Sequence, residues 1–527
     1  MSIIKTLKIK IQEIGFKATL RKMIVYVNNY FKLKIEKILN NHQVSFQDHI
    51  VKAIEWLQDN YLINEGIAIS SKQKISYPEV SGYMIPTLYN WGEKDLAKKL
   101  ITWLISQQNK DGSFSAPDGL PYTFDTGQII RGFVSVLDDC PEVEKPLRKA
   151  CDWILKQIQT NGQLATPSTR MWNNITDDRI HLYVIPPLIE AGKKLNELQY
   201  IKAGYRVLEY YKTRNDLLEF NTLSHFYGYI IEALYDLGEY DLVQKAIKEI
   251  TKFQKKDGSI PAYKNTSWIC IPGVAQFAII FYKLGIIENG DKALKFLEKV
   301  QNLDGGFYGS IGIGANYFPF EEISWAVKFF LDASYWRIKT SFEKSFDIFP
   351  EEIDISDGRI QEIISYFGDL NNKKIIDIGC GKGRFIKALH SLFPKAEFYG
   401  IDISERMINF CPKEARVLVG NILDIKYPSN FFDYIYCVET LEHSVRPNKA
   451  IEEMVRILKP GGKIVIIDKN LEKSGKLKIE PWEQWFNLES VLEILKQNKV
   501  QATAKYITYD NLKESDKLFI AWEGIKM

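Results

Sequence analysis

The segment Asp377 to Gly383 reads Asp-Ile-Gly-Cys-Gly-Lys-Gly and closes an apolar run, KKIIDIG, of strand character. Glycines at alternate positions let the backbone turn sharply and approach a ligand that a Cβ would repel. The helix that should follow offers unpaired N–H groups to a carboxylate. Asp377, two residues before the first glycine, brings the opposite charge and suits an ammonium group. Asp402, in the string YGIDIS, lies 19 residues past Gly383 at the end of a second strand, where a carboxylate can accept from both hydroxyls of a ribose. A dinucleotide site would use a similar loop, but the order D-x-G-x-G-x-G differs from the G-x-G-x-x-G of nicotinamide-binding chains.

These residues need elements to hold them. Strand and helix signals alternate through KKIIDIG, GRFIKALHSLF, EFYGIDI, SERMINFC, ARVLVGN, DYIYCVE, NKAIEEMVRIL and GKIVIID. Such alternation predicts a doubly wound, mostly parallel Rossmann-like α/β sheet with helices on both faces, binding its ligand where the strands end. The glycine segment resembles motif I of class I S-adenosylmethionine-dependent methyltransferases, and later segments agree in order. Gly420 to Asp424 resembles the adenine-facing loop after strand three, with Asn421 where that family more often has Asp. Phe431 to Ile435 resembles the entry to strand four, Val438 to His443 its exit, and Leu458 to Gly462 the turn into strand five. The whole is similar to the type 11 methyltransferases. The resemblance implies a domain over 345–527 in which Asp377, Gly379, Gly381, Gly383, Asp402, Ile403, Asn421, Ile422 and Val438 hold S-adenosyl-L-methionine.

A sulfonium methyl is already electrophilic, so the protein has to align acceptor, methyl and sulfur and, for a hydroxyl acceptor, remove a proton. His443 and Glu442, just past strand four, are the candidates for that base. A structural role, opening a helix and orienting a lid, is the alternative for both. An ordinary histidine base would give a rate that rises with pH near 6.5, taking roughly the unperturbed value. Trp482 and Trp485, in PWEQWF, are placed to stack on a flat or sugar-like acceptor.

Upstream the chain repeats. The turns QNKDGSF (108–114), QTNGQL (159–164), QKKDGSI (254–260) and QNLDGGF (301–307) put glycines at 112, 162, 258 and 305, spaced by 50, 96 and 47 residues. The double spacing implies a copy near residue 210 without glycine, and IEWLQDNYLINEG adds one ending at Gly66. Six two-helix units that cannot bury both faces alone should stack and close into an α/α toroid over 45–340. The turns resemble the QW repeats of squalene cyclases and the related prenyltransferases, with Phe where that terpenoid cyclase family usually has Trp. The acidic DxDD cluster of those cyclases and the zinc ligands of the prenyltransferases have no match here. Starts of the second helices carry Glu79, Tyr83, Asp125, Arg179, His181, His225, Glu321 and Trp325, a set that suits carbohydrate around one mouth. Helix capping is the alternative for each.

Composition sets the remaining expectations. A net charge of +3 over 527 residues gives no reason to expect nucleic acid as a partner. Residues 1–44 carry nine basic side chains against Glu13 and Glu36, interleaved with apolar ones. That basic amphipathic helical arm suits either peripheral contact with an anionic membrane face or packing on the next domain. Lysines at 5, 8 and 10 interrupt any signal-peptide core, and the apolar run Ile269 to Tyr282 is too short to span a bilayer, so a cytoplasmic location is expected. The six cysteines show neither metal-ligand spacing nor a disulfide pattern, and no metal is expected. Two whole-chain readings result: a methyltransferase whose toroid binds or processes a small-molecule, glycan or isoprenoid-linked acceptor, or a methyltransferase tethered by a noncatalytic toroid that docks on a partner.

Overall fold

The computed structural model describes residues 44–167, 177–475, 479–507 and 517–527. The basic arm lies outside the described residues except for its last position. The chain divides into a helical unit, 1–88 with 93–337, and a second unit, 89–92 with 338–527. Among the described residues no helix is long and apolar enough to cross a membrane.

The helical unit alternates two kinds of helix. One set comprises α1 (Phe46–Asp59), α3 (Lys94–Gln107), α5 (Glu144–Lys156), α7 (Leu198–Lys212), α9 (Tyr240–Thr251) and α11 (Ile287–Val300). Each buries one stripe; in α9 it is Val243, Ala246, Ile247 and Ile250. This is the i, i+3, i+4, i+7 spacing of a surface helix. The other set comprises α2 (Pro78–Asn90), α4 (Thr123–Val136), α6 (Ile185–Lys194), α8 (Ser224–Asp236), α10 (Ile271–Lys283) and α12 (Ser324–Lys344). In α10 every residue from Ile271 to Tyr282 is buried, as a sequence apolar but for Gln276 requires, and Gln276 meets His225 Nδ1 (2.6 Å). Second-helix starts therefore fall within a few residues of those expected from sequence.

The repeat turns do specific work. Gly112, Gly162, Gly258 and Gly305 all have φ between 90° and 98°, where any side chain is strained. A Cβ at Gly112 would meet the Lys149 carbonyl at 2.2 Å, and one at Gly258 the Lys292 carbonyl at 1.8 Å. The turn glutamines bridge the same gap. Gln108 Nε2 donates to Gly112 O (3.1 Å) and to Pro146 O on α5 (2.8 Å), and Gln254 Nε2 donates to Asn289 O on α11 (2.9 Å). Gln301 Nε2 donates instead to His49 O on α1 (2.9 Å), and a Cβ at Gly305 would meet Lys52 O at 2.1 Å. The last turn thus docks on the first helix.

The copy without glycine is held by a side chain. Buried Arg179 pairs with Asp177 and donates to the carbonyls of Asp216 and Glu219 and to Asn221 Oδ1. Arg214 adds ion pairs to Asp178 (2.6 Å) and Asp216 (2.7 Å). Arg179 is therefore a structural clamp on the turn at 214–221, its guanidinium spent before it reaches any ligand.

The second unit is a seven-stranded sheet: β1 (Lys374–Ile378), β2 (Glu397–Asp402), β3 (Arg416–Val419), β4 (Phe432–Val438), β5 (Leu458–Lys469), β6 (Val500–Ile507) and β7 (Phe519–Lys526). Strand order is β3-β2-β1-β4-β5-β7-β6. All pairs are parallel except β5–β7 and β6–β7. The chain order reverses direction at β1/β4, which opens a crevice at the carboxyl ends of the strands. The LKPGG string is drawn into the start of β5 as an irregularity between Phe432 and Tyr434, with Gly461 at φ 74°. Ile360 and Ile363 of α13 (Gly358–Phe367), with Ile375, Phe385, Leu389, Tyr436, Val465 and Ile467, are among the residues that form the core beside β1.

Candidate functional site

Asp377 lies one residue before the end of β1, and the glycine loop runs from there to Gly383, which precedes α14 (Arg384–Leu392). Gly379, Gly381 and Gly383 have φ of 77°, 51° and 76°. Two are needed for close approach: a Cβ at Gly379 would meet Thr440 Oγ1 at 2.2 Å, and one at Gly383 would meet Pro412 Cδ at 2.7 Å. A Cβ at Gly381 would meet nothing within 4 Å. The middle of the loop therefore faces open space, while its ends are packed.

Two acids flank that space. Asp377 is buried, its Oδ2 has no well-formed hydrogen bond, and burial pushes its carboxyl up to about 8, with the neighbouring Tyr436 hydroxyl opposing and Asp402 adding. A buried carboxyl oxygen left so is costly, and a ligand cation beside it would both satisfy the oxygen and restore the charge. At the end of β2, Asp402 Oδ2 accepts from Gly381 N and Oδ1 from Ser404 N, each at 2.9 Å. Burial pushes its carboxyl up to about 6 against those hydrogen bonds. Each oxygen keeps a second lone pair for a hydroxyl donor. Ile403 is partly exposed beside it and Val438 ends β4, buried. In the loop after β3, Asn421 and Ile422 are partly exposed, and Asn421 Oδ1 accepts from Leu423 N (2.9 Å).

Beyond β4, Glu442 and His443 lie in a short 3₁₀ turn (Leu441–His443). Glu442 is buried, accepts from Lys469 Nζ (2.7 Å) and leaves Oε2 unpartnered. Burial and the neighbouring Asp468 raise its carboxyl, with Lys469 opposing. His443 Nε2 sits 3.3 Å from Glu442 Oε1, and its Nδ1 has no partner. Desolvation lowers the imidazole to about 4. The ring is thus neutral at any ordinary pH, which corrects the expectation of a rate limb near 6.5. The edge-on ring of Phe342, 5.0 Å from it, is part of that dry surrounding.

Trp482 and Trp485 do not form an acceptor platform. Both are buried, Trp482 against Phe342 and Trp485 with its Nε1 donating to Glu483 Oε1 (2.9 Å). Residues that sequence reasoning missed surround Glu439, which has φ 50° and is bound by Arg359 and by Arg384 Nη2 (3.2 Å). A non-glycine residue at positive φ is uncommon and marks a constrained position, and nothing in the string VETLEH signals it. Arg384 opens α14, and its guanidinium is engaged with Glu439.

In the helical unit Glu79, Tyr83, His181, His225 and Trp325 line one cavity. Asp125 stands behind it, accepting from Tyr77 Oη at 2.8 Å. Glu321 is instead engaged with Ser70 and with Gln73 Nε2 (2.9 Å).

Comparison with known proteins finds similarities in the second unit. Residues 369–514 match the model of a methyltransferase domain. The chain is 38% identical over 96 residues to the tRNA (carboxymethyluridine(34)-5-O)-methyltransferase of Arabidopsis thaliana, covering 18% of this chain and 23% of that protein. It is 33% identical over 124 residues to the chloroplastic tocopherol O-methyltransferase of the same plant, covering 21% and 35%. The chain therefore spans about a quarter to a third of the length of these relatives. A solved S-adenosylmethionine-dependent methyltransferase from Aquifex aeolicus is 22% identical, with 36% of this chain and 97% of that one covered and a TM-score of 0.28. The C-terminal region carries a methyltransferase domain of the S-adenosylmethionine-dependent class.

Proposed function

We propose that the chain transfers the methyl group of S-adenosyl-L-methionine to an oxygen of a small-molecule, glycan or isoprenoid-linked acceptor, and that the helical unit binds or processes that acceptor. The carrying observation is the loop from Asp377 to Gly383 tied to Asp402 by the Gly381 amide. Its open middle, its buried Asp377 oxygen and the start of α14 offer an ammonium, a carboxylate and a ribose their opposite partners. When bound, the cofactor supplies an electrophilic methyl on a sulfonium.

The residues around it do the rest. Asp377 holds the ammonium, the α14 amides the carboxylate, and Asp402 the ribose hydroxyls. Asn421, with Ile403, Ile422 and Val438, bounds the adenine. His443 Nδ1 takes the hydroxyl proton of the acceptor, and Glu442 is a positioning residue. By meeting Nε2 it keeps the lone pair on Nδ1. The names of both relatives specify transfer to oxygen, which supports the acceptor atom.

For the helical unit the reading is a closed α/α toroid of six hairpins. Docking of the Gly305 turn and Gln301 on α1 supports closure. The cavity at the second-helix starts supports a binding role over a purely tethering one. The arm at 1–44 is proposed to touch an anionic membrane face, on its basic amphipathic sequence alone. Incubating the full chain with methyl-labelled cofactor and candidate acceptors tests the whole. The reading stands if label reaches an acceptor oxygen in the wild type and not in Asp402→Ala, and falls if the wild type transfers none.

A further inference from the structure

Empty space in the cavity of the helical unit and the open solvent at its mouth together come to ≈ 590 Å³. Eight of its thirteen lining residues are Tyr, Phe or Trp, and none is Lys or Arg. Rings pack on each other around it: Phe124 and Tyr229 at 4.9 Å, His225 and Tyr229 at 4.6 Å. Buried Lys328 pairs with Asp332 (2.8 Å) and lies over the Phe329 ring and, at 5.1 Å, over that of Tyr83. Among the described residues the wall itself therefore offers phosphate, sulfate and carboxylate ligands no unpaired cation.

Its polar groups are few, buried and directional. Tyr83 Oη and His181 Nδ1 have no partner although both residues are at most 3% exposed. His181 is hydrogen-bonded to the Leu164 backbone, which leaves the orphan Nδ1 as the acceptor of a neutral ring. His225 meets Gln276 Oε1 through Nδ1 (2.6 Å), so its Nε2 carries a lone pair. Burial keeps both imidazoles uncharged, at about 4 and about 3. Burial and Asp125 push the Glu79 carboxyl well above the usual carboxylate range, with Lys328 opposing. The wall thus presents two imidazole acceptors, the Tyr83 hydroxyl and the Glu79 carboxyl between aromatic faces.

We propose that this cavity binds an uncharged pyranose ring of a neutral glycan, its C–H faces on the aromatic rings and its hydroxyls on Tyr83, His181, His225 and Glu79. An isoprenoid chain would fill the apolar walls and leave the two orphans buried without partners. A charged sugar would carry an unpaired anion into a wall without cations. The inference rests on the reading that the helical unit binds the acceptor and names the chemical class of what it holds.

Saturation-transfer NMR of the full chain tests it. The probes are the methyl glycosides of glucose, galactose, mannose and N-acetylglucosamine, with glucuronic acid, glucose 6-phosphate and geraniol. The expected result is transfer to the ring C–H protons of at least one neutral glycoside. Tyr83→Phe should weaken it about fivefold while the melting temperature holds. His181→Gln serves if that variant does not fold. Transfer confined to geraniol or to the charged sugars, none to any neutral glycoside, or equal binding by folded variants overturns the proposal. Asp402→Ala should leave the glycoside signal intact. Loss of the sugar result with methyl transfer preserved therefore overturns the sugar site alone, and loss of cofactor binding with the glycoside signal preserved overturns the transferase reading alone.

Discussion

Asp402 Oδ2 accepts the backbone N–H of Gly381 at 2.9 Å, so the acid ending β2 and the glycine loop after β1 form one hydrogen-bonded unit. Asp402→Ala removes both the ribose acceptor and this tie. Calorimetric affinity for S-adenosylmethionine should fall by about 1.5–3 kcal/mol. Because burial puts the carboxyl at about 6, wild-type affinity should also weaken as pH drops through that value, where the accepting form is lost. An unchanged affinity in the variant would remove Asp402 from the ribose.

Asp377 gives a pH signature in stability. Its folded-state carboxyl, at about 8, is raised above the ordinary value of about 3.9. Between those values the native state binds the extra proton, so stability of the ligand-free chain declines as pH rises through the window. Asp377→Asn should raise the ligand-free melting temperature at pH 8 by about 2–4 °C and reduce the further rise that cofactor brings. A lower ligand-free melting temperature for the variant at that pH would contradict the account.

Much of the second unit was legible because its signals are local. Strand runs, glycines at the β1 exit and Asp402 at the β2 exit are short-range patterns, and the sheet places them as expected. The exit of β4 was less legible. Glu439 is defined by Arg359, 80 positions away, and by its φ of 50°, neither of which local spacing reports. Trp482 and Trp485 read as platforms because exposure is not written in residue type. In the repeats the turn glycines were visible, whereas Arg179 as substitute clamp depends on carbonyls 37 and 40 residues distant.

His443→Ala should lower turnover by about 10² to 10⁴ with cofactor affinity nearly intact, since a base acts in the transition state. The imidazole sits at about 4 and stays neutral, so His443 should impose no limb on the wild-type rate between pH 5 and 8. Glu442→Gln keeps a carbonyl oxygen near Nε2 and should cost less than Glu442→Ala. Single-turnover methyl transfer across pH separates these outcomes, and an active His443→Ala enzyme excludes this base.

Arg179→Ala should destabilise the helical unit by about 2–4 kcal/mol, because it leaves the part-buried Asp177 charge unpaired and frees the turn at 214–221. Denaturant unfolding of the full chain reads the loss. A change under about 0.5 kcal/mol, typical of surface positions, would show that Arg179 does not hold the turn.

Calorimetric titration of S-adenosylmethionine into the full chain, wild type against Gly381→Arg, tests the central claim most directly. Gly381 faces open space at φ 51°, so the arginine side chain should occupy the loop's open face, with left-handed strain at that one residue and no clash with the packed ends. The account predicts one binding site per wild-type chain and no measurable heat from a variant that still melts cooperatively. Absence of binding by the wild type, or equal affinity in the folded variant, would contradict it.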